Sequence, residues 1–160
     1  MQPLSQWRLA DRRGLIGVFT DIDDTLTTDG AITPDALQGL ADLNAAGLHV
    51  IPITGRPMGW SVPFATAWPV DGIVAENGAL ALRAASTLYQ QDDATRRNNF
   101  ARMQTVAARV LREVPGARLA QDSAGRETDI AIDHSEFTQL PPERIAQVVQ
   151  LLQSEGMNAT

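Results

Sequence analysis

The sequence predicts an α/β fold, a parallel sheet built from alternating strands and helices, followed by a smaller α+β module. Three observations carry this. The apolar run Leu15-Ile16-Gly17-Val18 leads straight into Phe19-Thr20-Asp21-Ile22-Asp23-Asp24-Thr25, the pattern of a short buried strand that delivers acid to its C-terminal end. Strand and helix patterns then alternate as far as Gly78, an order that gives a parallel sheet with right-handed crossovers. Three successive strands each end in a polar turn, and ligand sites of open α/β sheets lie at that edge.

The elements follow in order. Beyond the acidic loop, Thr33-Pro34-Asp35 is a helix start, with Thr33 as N-cap, Pro34 at the first helical position and Asp35 favourable to the dipole. Leu37, Leu40 and Leu43 recur at helical spacing and Gly47 supplies the stop. Leu48 to Ile53 reads as a second buried strand, in which Pro52 is awkward because proline cannot donate to a ladder. Thr54-Gly55-Arg56-Pro57 turns the chain into a second helix that Pro63 is expected to interrupt, and Gly72 to Ala75 is a third strand ending at Glu76-Asn77-Gly78. Ala79 to Gln90 reads as a hairpin or an extended pair.

A long helix then begins at Asp92 or Asp93, with Phe100, Met103, Val106, Ala107, Val110 and Val114 on one face. Pro115-Gly116 ends it. Arg118 to Ala120 and Thr128 to Ile132 read as strands joined by a turn around residues 123–125. Pro141-Pro142 opens a last helix with Ile145, Val148, Val149 and Leu152 inward, stopped by Gly156, and Met157 to Thr160 reads as extended.

Composition narrows the function. The net charge of −6 excludes nucleic-acid binding through a broad basic face. No run approaches the roughly 18 to 20 apolar residues of a membrane span, and the segment before Gly14 lacks the hydrophobic region of a secretion signal. The chain has no cysteine, so it has no disulfide framework and no thiolate metal site, and a cytoplasmic location fits. All 13 basic residues are arginine, so any step that needs a lysine has none here.

Asp21 and Asp23 share a period-two spacing, which lets both point to one side as the chain leaves the sheet. Two carboxylates held that close repel unless a cation sits between them, which points to a divalent metal with a nucleophile and an acid. Taken singly the other signals are weak. Thr54-Gly55-Arg56 is more often a helix-start turn than a phosphate site, Arg56 can equally serve a surface ion pair, and Asn77-Gly78 alone reads as a hairpin turn. His49 and His134 lack a second histidine at ligand spacing and read as structural or solvated, Arg96-Arg97 reads as a solvated face, and the three tryptophans are too scattered for a stacking platform. The strength lies in convergence, because the Asp21, Thr54 and Asn77 turns all follow successive strands.

Together these residues resemble the haloacid dehalogenase superfamily of phosphatases. Its first motif, a strand followed by Asp-x-Asp-x-Thr, matches Asp21-Ile22-Asp23-Asp24-Thr25, and its second, a Thr or Ser ending the next strand, matches Thr54. Ile53-Thr54-Gly55-Arg56-Pro57, with Glu76-Asn77-Gly78-Ala79 beyond, is similar to the branch whose cap is inserted after the third strand, a branch that includes sugar-phosphate phosphatases. The resemblance implies a Rossmann-like, doubly wound core over residues 1–82 and an α+β cap module over residues 83–160, both incomplete. It implies Asp21 as nucleophile, Asp23 as acid and base, Mg²⁺ on Asp21 and Asp23, phosphate or substrate contacts from Thr54, Gly55, Arg56 and Asn77, and residues 27–32 as a flap.

The family's third motif is a Lys or Arg and its fourth an acidic pair beginning Gly-Asp, both after the cap. This chain has no lysine and no such Gly-Asp pair, so it is read as stopping inside the cap and as an inactive or weakly active phosphatase fragment. The expected partner is a small phosphorylated metabolite, with self-association through unpaired sheet edges. The alternatives are a phosphomutase of the same superfamily and a phospho-accepting receiver domain. A receiver is disfavoured because Asp71 precedes the third strand instead of ending it.

Overall fold

A computed structural model describes residues 3–83 and 86–159. The elements run α1 (Leu9–Arg12), β1 (Gly17–Asp21), β2 (Thr27–Thr28), β3 (Ala31–Ile32), α2 (Pro34–Ala45), β4 (His49–Ile53), α3 (Met58–Ala67), β5 (Ile73–Ala75), β6 (Leu80–Arg83), β7 (Ser86–Tyr89), α4 (Asp93–Glu113), β8 (Arg118–Leu119), β9 (Ile132–Asp133) and α5 (Pro142–Ser154). The chain divides into two compact units, one of Met1–Gly55 with Ser61–Leu88 and one of Arg56–Trp60 with Tyr89–Thr160.

The first unit is built on a five-stranded sheet in the order β1-β4-β5-β6-β7. β1 and β4 are parallel with Gly17 opposite His49 and Asp21 opposite Ile53. β4 and β5 are parallel at Ile53 and Val74, and β6 returns antiparallel to β5. The predicted β-α-β-α-β order is therefore the fold, with β6 and β7 adding the extended pair expected after Gly78. Residues 84–85 of the expected pair lie outside the described residues.

Local chemistry explains the elements. The Thr33 hydroxyl accepts the Ala36 N–H and caps α2, and Gly47 at φ +81° stops that helix. Pro52 is accommodated in β4 because of the way its N–H side faces. The His49 N–H donates to Ile16 in β1, whereas the Thr54 N–H donates to Val74 in β5. Alternation therefore points the Pro52 nitrogen toward β5, where the paired register is a single residue pair. α3 differs from expectation. It runs through Pro63 without a break, the missing donor falling opposite the Gly59 carbonyl, where no side chain adds to the crowding.

The sheet has unequal faces. Val50, Pro52 and Ile22 are fully buried, and Thr54 nearly so. On the opposite side Phe19 and Ile53 are 69% and 38% exposed.

In the second unit α4 and α5 pack through Val110, Val114 and Val148, with Ile132, Leu151 and Leu152 against them. Asp92 caps α4, its carboxylate accepting the Thr95 N–H at 2.9 Å. Arg109 of α4 pairs with Glu155 beyond the end of α5, and the Arg102 guanidinium donates to the Glu155 carbonyl. β8 pairs antiparallel with β9, Arg118 opposite Asp133. β9 is later and shorter than the strand expected over residues 128–132. Arg126 accounts for the shift, since it clamps Asp122 at 3.0 Å and Asp129 at 2.8 Å and holds that stretch in a turn. Residues 157–159 have no regular structure. No helix among the described residues is long and apolar enough to cross a membrane.

Candidate active site

The parallel register sets three strand ends level. Asp21 is the last residue of β1, opposite Ile53 of β4, which in turn lies opposite Val74 of β5. One step further on, the three chains become the Asp23 loop, the Thr54-Gly55 turn and the Glu76-Asn77-Gly78 turn. Side chains from all three converge because the sheet, not the local sequence, fixes their level.

The acidic loop is wound around one carbonyl. The Ile22 oxygen accepts N–H groups from Thr25, Leu26 and Thr27 at 3.3, 3.0 and 3.1 Å, and the Thr27 hydroxyl at 3.1 Å. Ile22 is fully buried, so this winding is anchored in the core. Asp24 takes φ +55° to complete it, a conformation that Asp tolerates better than most residues. The loop leaves Asp21 exposed, with the Thr25 hydroxyl 3.4 Å from its Oδ2. The expected flap over residues 27–32 is the β2–β3 hairpin.

Thr54 is 3% exposed, its N–H donating to Val74 and its hydroxyl 3.5 Å from Asp23 Oδ2. Gly55 sits against Asn77, whose side-chain oxygen would lie 3.0 Å from a Cβ placed there. The Asn77 N–H donates to the Thr54 carbonyl at 3.3 Å. Asp21, Asp23, Thr54, Gly55 and Asn77 thus belong to one neighbourhood of the first unit. Arg56 falls in the second unit, where it approaches Glu136 at 3.8 Å and Asp122 at 3.9 Å and lies over the Trp60 ring.

Several features escape sequence reasoning. Glu76 is 2% exposed and opens a run of three left-handed residues, with φ +48°, +56° and +96° at Glu76, Asn77 and Gly78. Strain of this kind is concentrated at functional sites, and no sequence signal marks a buried glutamate. Arg96 is not the solvated residue expected. It lies 3.5 Å over the Tyr89 ring and donates to Glu127 at 3.0 Å, which also accepts the Tyr89 hydroxyl at 2.6 Å. Burial and the Glu127 carboxylate push the Tyr89 hydroxyl above its ordinary pKa. Arg97 is the solvated partner, 73% exposed against Asp93.

Asp71 sits at the opposite end of the sheet from Asp21. Its carboxylate takes the Val50 N–H at 2.8 Å and contacts His49 Nδ1 at 3.0 Å, at the start of β4. Asp133, 7% exposed, is pushed up by burial, but the backbone N–H groups of Glu136 and Phe137 outweigh this and hold it below the usual value.

A parallel sheet whose first strand ends in an exposed carboxylate, with a second acid and a buried hydroxyl beside it, is an arrangement compatible with hydrolytic chemistry at the sheet edge. The family model of haloacid dehalogenase-like hydrolases matches residues 18–108, more than half of the chain, and the chain belongs to that family. No curated protein matches the chain by sequence. Among solved structures, a protein of Thermoplasma acidophilum is similar with a TM-score of 0.69 at 16% identity, over 89% of this chain and 59% of that one. The C-terminal domain of trehalose-6-phosphate phosphatase from C. albicans has a TM-score of 0.60 at 14% identity, over 85% and 48%. A trehalose-6-phosphate phosphatase related protein has a TM-score of 0.52 at 17% identity, over 86% and 60%. The chain thus spans about half to three-fifths of the length of these relatives, which share its fold.

Proposed function

We propose that this chain carries the nucleophile side of a Mg²⁺-dependent phosphomonoesterase acting on a sugar phosphate or a similar small phosphorylated metabolite. The observation that carries the reading is the level placement of the exposed Asp21 carboxylate, Asp23 and the buried Thr54 hydroxyl at one sheet edge.

In this reading an Asp21 carboxylate oxygen attacks phosphorus, and the bond from phosphorus to the ester oxygen breaks. Asp23 gives its proton to the departing alkoxide. Asp23 then takes a proton from water, whose oxygen attacks phosphorus and releases inorganic phosphate, restoring the Asp21 carboxylate. Thr54 donates to a phosphoryl oxygen, and the backbone N–H groups after Asp21 add donors where charge builds. Gly55 and Asn77 line the substrate side.

The residues fit Mg²⁺. The metal would rest on the Asp21 carboxylate and the Asp23 carbonyl, the pair that the family resemblance implies; among the described residues no group of three or more acidic, histidine or cysteine side chains gathers. Two hard oxygens suit an ion that keeps waters and substrate phosphate as its other ligands. Bound there, Mg²⁺ supplies charge neutralisation of the phosphate.

The substrate class follows the activity named for the trehalose-6-phosphate phosphatase whose fold the chain shares. A cytoplasmic location belongs to the same reading, supported by the absence of cysteine. The chain has no lysine, and each missing donor to the transferring group typically costs about a hundredfold or more, so turnover by the chain alone is expected to be slow.

The test is steady-state release of p-nitrophenol from p-nitrophenyl phosphate with and without Mg²⁺. Slow, metal-dependent turnover that Asp21→Asn removes supports the reading. Turnover indifferent to Asp21→Asn overturns it. Stoichiometric labelling by acetyl phosphate without turnover would mark a receiver, and phosphate passed to a sugar hydroxyl instead of water would mark a mutase.

A further inference from the structure

We propose that Glu76 is a positioning residue for the candidate site, its buried side chain locking the turn that grips Thr54 from both sides. What Thr54 does for the phosphoryl group rests on the proposed function, whereas the hold on Thr54 is a matter of geometry.

The grip consists of two backbone hydrogen bonds. The Thr54 N–H donates to the Val74 carbonyl at 2.9 Å, and the Thr54 carbonyl accepts the Asn77 N–H at 3.3 Å. In an unbroken parallel ladder a residue bonds to positions two apart on its neighbour strand. Thr54 bonds to positions three apart, Val74 and Asn77, so one extra residue is taken up between them, as in a bulge. Ala75, the end of β5, is still extended at φ −121° and ψ 172°. Glu76 is left-handed at φ +48°. The extra residue is therefore absorbed at Glu76, and the grip on Thr54 exists only while Glu76 keeps that conformation.

Glycine is the residue that takes a left-handed bulge position freely, followed by asparagine and aspartate. A glutamate there is strained. It is also 2% exposed, and a buried carboxyl group is costly unless its oxygens are hydrogen-bonded. Among the described residues, the buried side-chain atoms without a hydrogen-bond partner belong to Arg12, Arg96 and Ser123, so Glu76 is bonded where it lies. Strain persists only where the surroundings over-determine it. A side chain tied into the interior does this for its own backbone, and glycine could not.

The consequence reaches the site through two neighbours. The Thr54 hydroxyl, 3.5 Å from Asp23 Oδ2, is aimed by a backbone held on both sides. Gly55 is set as well, because the Asn77 side-chain oxygen would lie 3.0 Å from a Cβ placed there.

The experiment compares Glu76→Gly, which suits the left-handed φ but removes the side chain, with Glu76→Gln, which keeps the shape and one oxygen. Turnover of p-nitrophenyl phosphate with Mg²⁺ is read beside amide hydrogen exchange at Asn77. The control is the Val50 N–H, bonded to Asp71 at the far end of β4. Glu76→Gly is expected to melt cooperatively, to lose protection at Asn77 but not at Val50, and to lose up to about a hundredfold in kcat with KM little changed. Glu76→Gln is expected to fall between it and the parent chain in both readouts. Added to Thr54→Val, Glu76→Gly is expected to cost little more, because Glu76 acts through Thr54. Protection at Asn77 unchanged in both variants, a kcat in Glu76→Gly equal to the parent's, or a loss that multiplies with that of Thr54→Val would each overturn the proposal. Failure of the proposed function is read separately, as turnover indifferent to Asp21→Asn, and exchange at Asn77 then still decides whether Glu76 holds the grip.

Discussion

The Thr54 hydroxyl lies 3.5 Å from the Asp23 carboxylate across 31 residues of chain. The contact joins the loop after β1 to the turn after β4, and it exists because those strands run parallel in a register that ends them together. A buried hydroxyl beside an acid can be handed to a phosphoryl oxygen when substrate enters. Thr54→Val removes the hydroxyl and keeps the shape. It is expected to lower turnover by about a hundredfold or more, the worth of one donor, and stability by about 1 kcal/mol. Thr54→Ser should retain most activity. Equal turnover in the Val and Ser variants would show that the hydroxyl does not serve the phosphoryl group.

In the proposed reaction the roles of the two aspartates separate kinetically. Asp21→Asn should abolish both phosphoenzyme formation and Mg²⁺-dependent turnover. Asp23→Asn should still form phosphoenzyme with a good leaving group but lose it slowly, since the base for water is gone. Acid-quenched labelling followed over time distinguishes them, and a labelled Asp21→Asn protein would move the nucleophile elsewhere.

Acid stability has a source away from the site. The hydrogen bond from His49, and then the Val50 N–H, hold the Asp71 carboxyl below its ordinary value of 3.8. A depressed folded-state pKa means that the stabilisation is full above 3.8 and is lost as pH falls through the folded value. Asp71→Asn should therefore melt below the parent chain at neutral pH, with the difference closing under acid. Thermal melts between neutral pH and strong acid check this, and a difference independent of pH would assign the loss to packing.

The turn after β5 constrains what position 77 accepts. Asn77 has φ +56°, which costs a β-branched residue about 1–2 kcal/mol and glycine almost nothing. Asn77→Gly should keep stability while Asn77→Val loses about that amount, read by denaturant melts. If Asn77→Gly nevertheless raises KM, the amide serves substrate as well as the turn.

Much of the first unit was legible because its signals are local. The apolar run before Asp21 specifies a strand that ends in acid, Thr33 and Asp92 announce their helices by capping chemistry, and Gly47 and Gly156 stop theirs. Period-two spacing was enough to set Asp21 and Asp23 apart as candidates, and the order of strands and helices was enough for parallel pairing. What the sequence could not decide were contacts between residues distant along the chain. The burial of Glu76, the stacking of Arg96 on Tyr89 with Glu127 beneath both, and the turn that Arg126 imposes between Asp122 and Asp129 depend on which segments meet, and composition carries no record of that. The same holds for Arg56, two residues from Thr54 in sequence, yet part of the other compact unit. Residue types and their local periods determined the elements and named the acids, whereas the level of the strand ends, and with it the encounter of Asp23 and Thr54, was decided by the hydrogen-bonded register between β1 and β4.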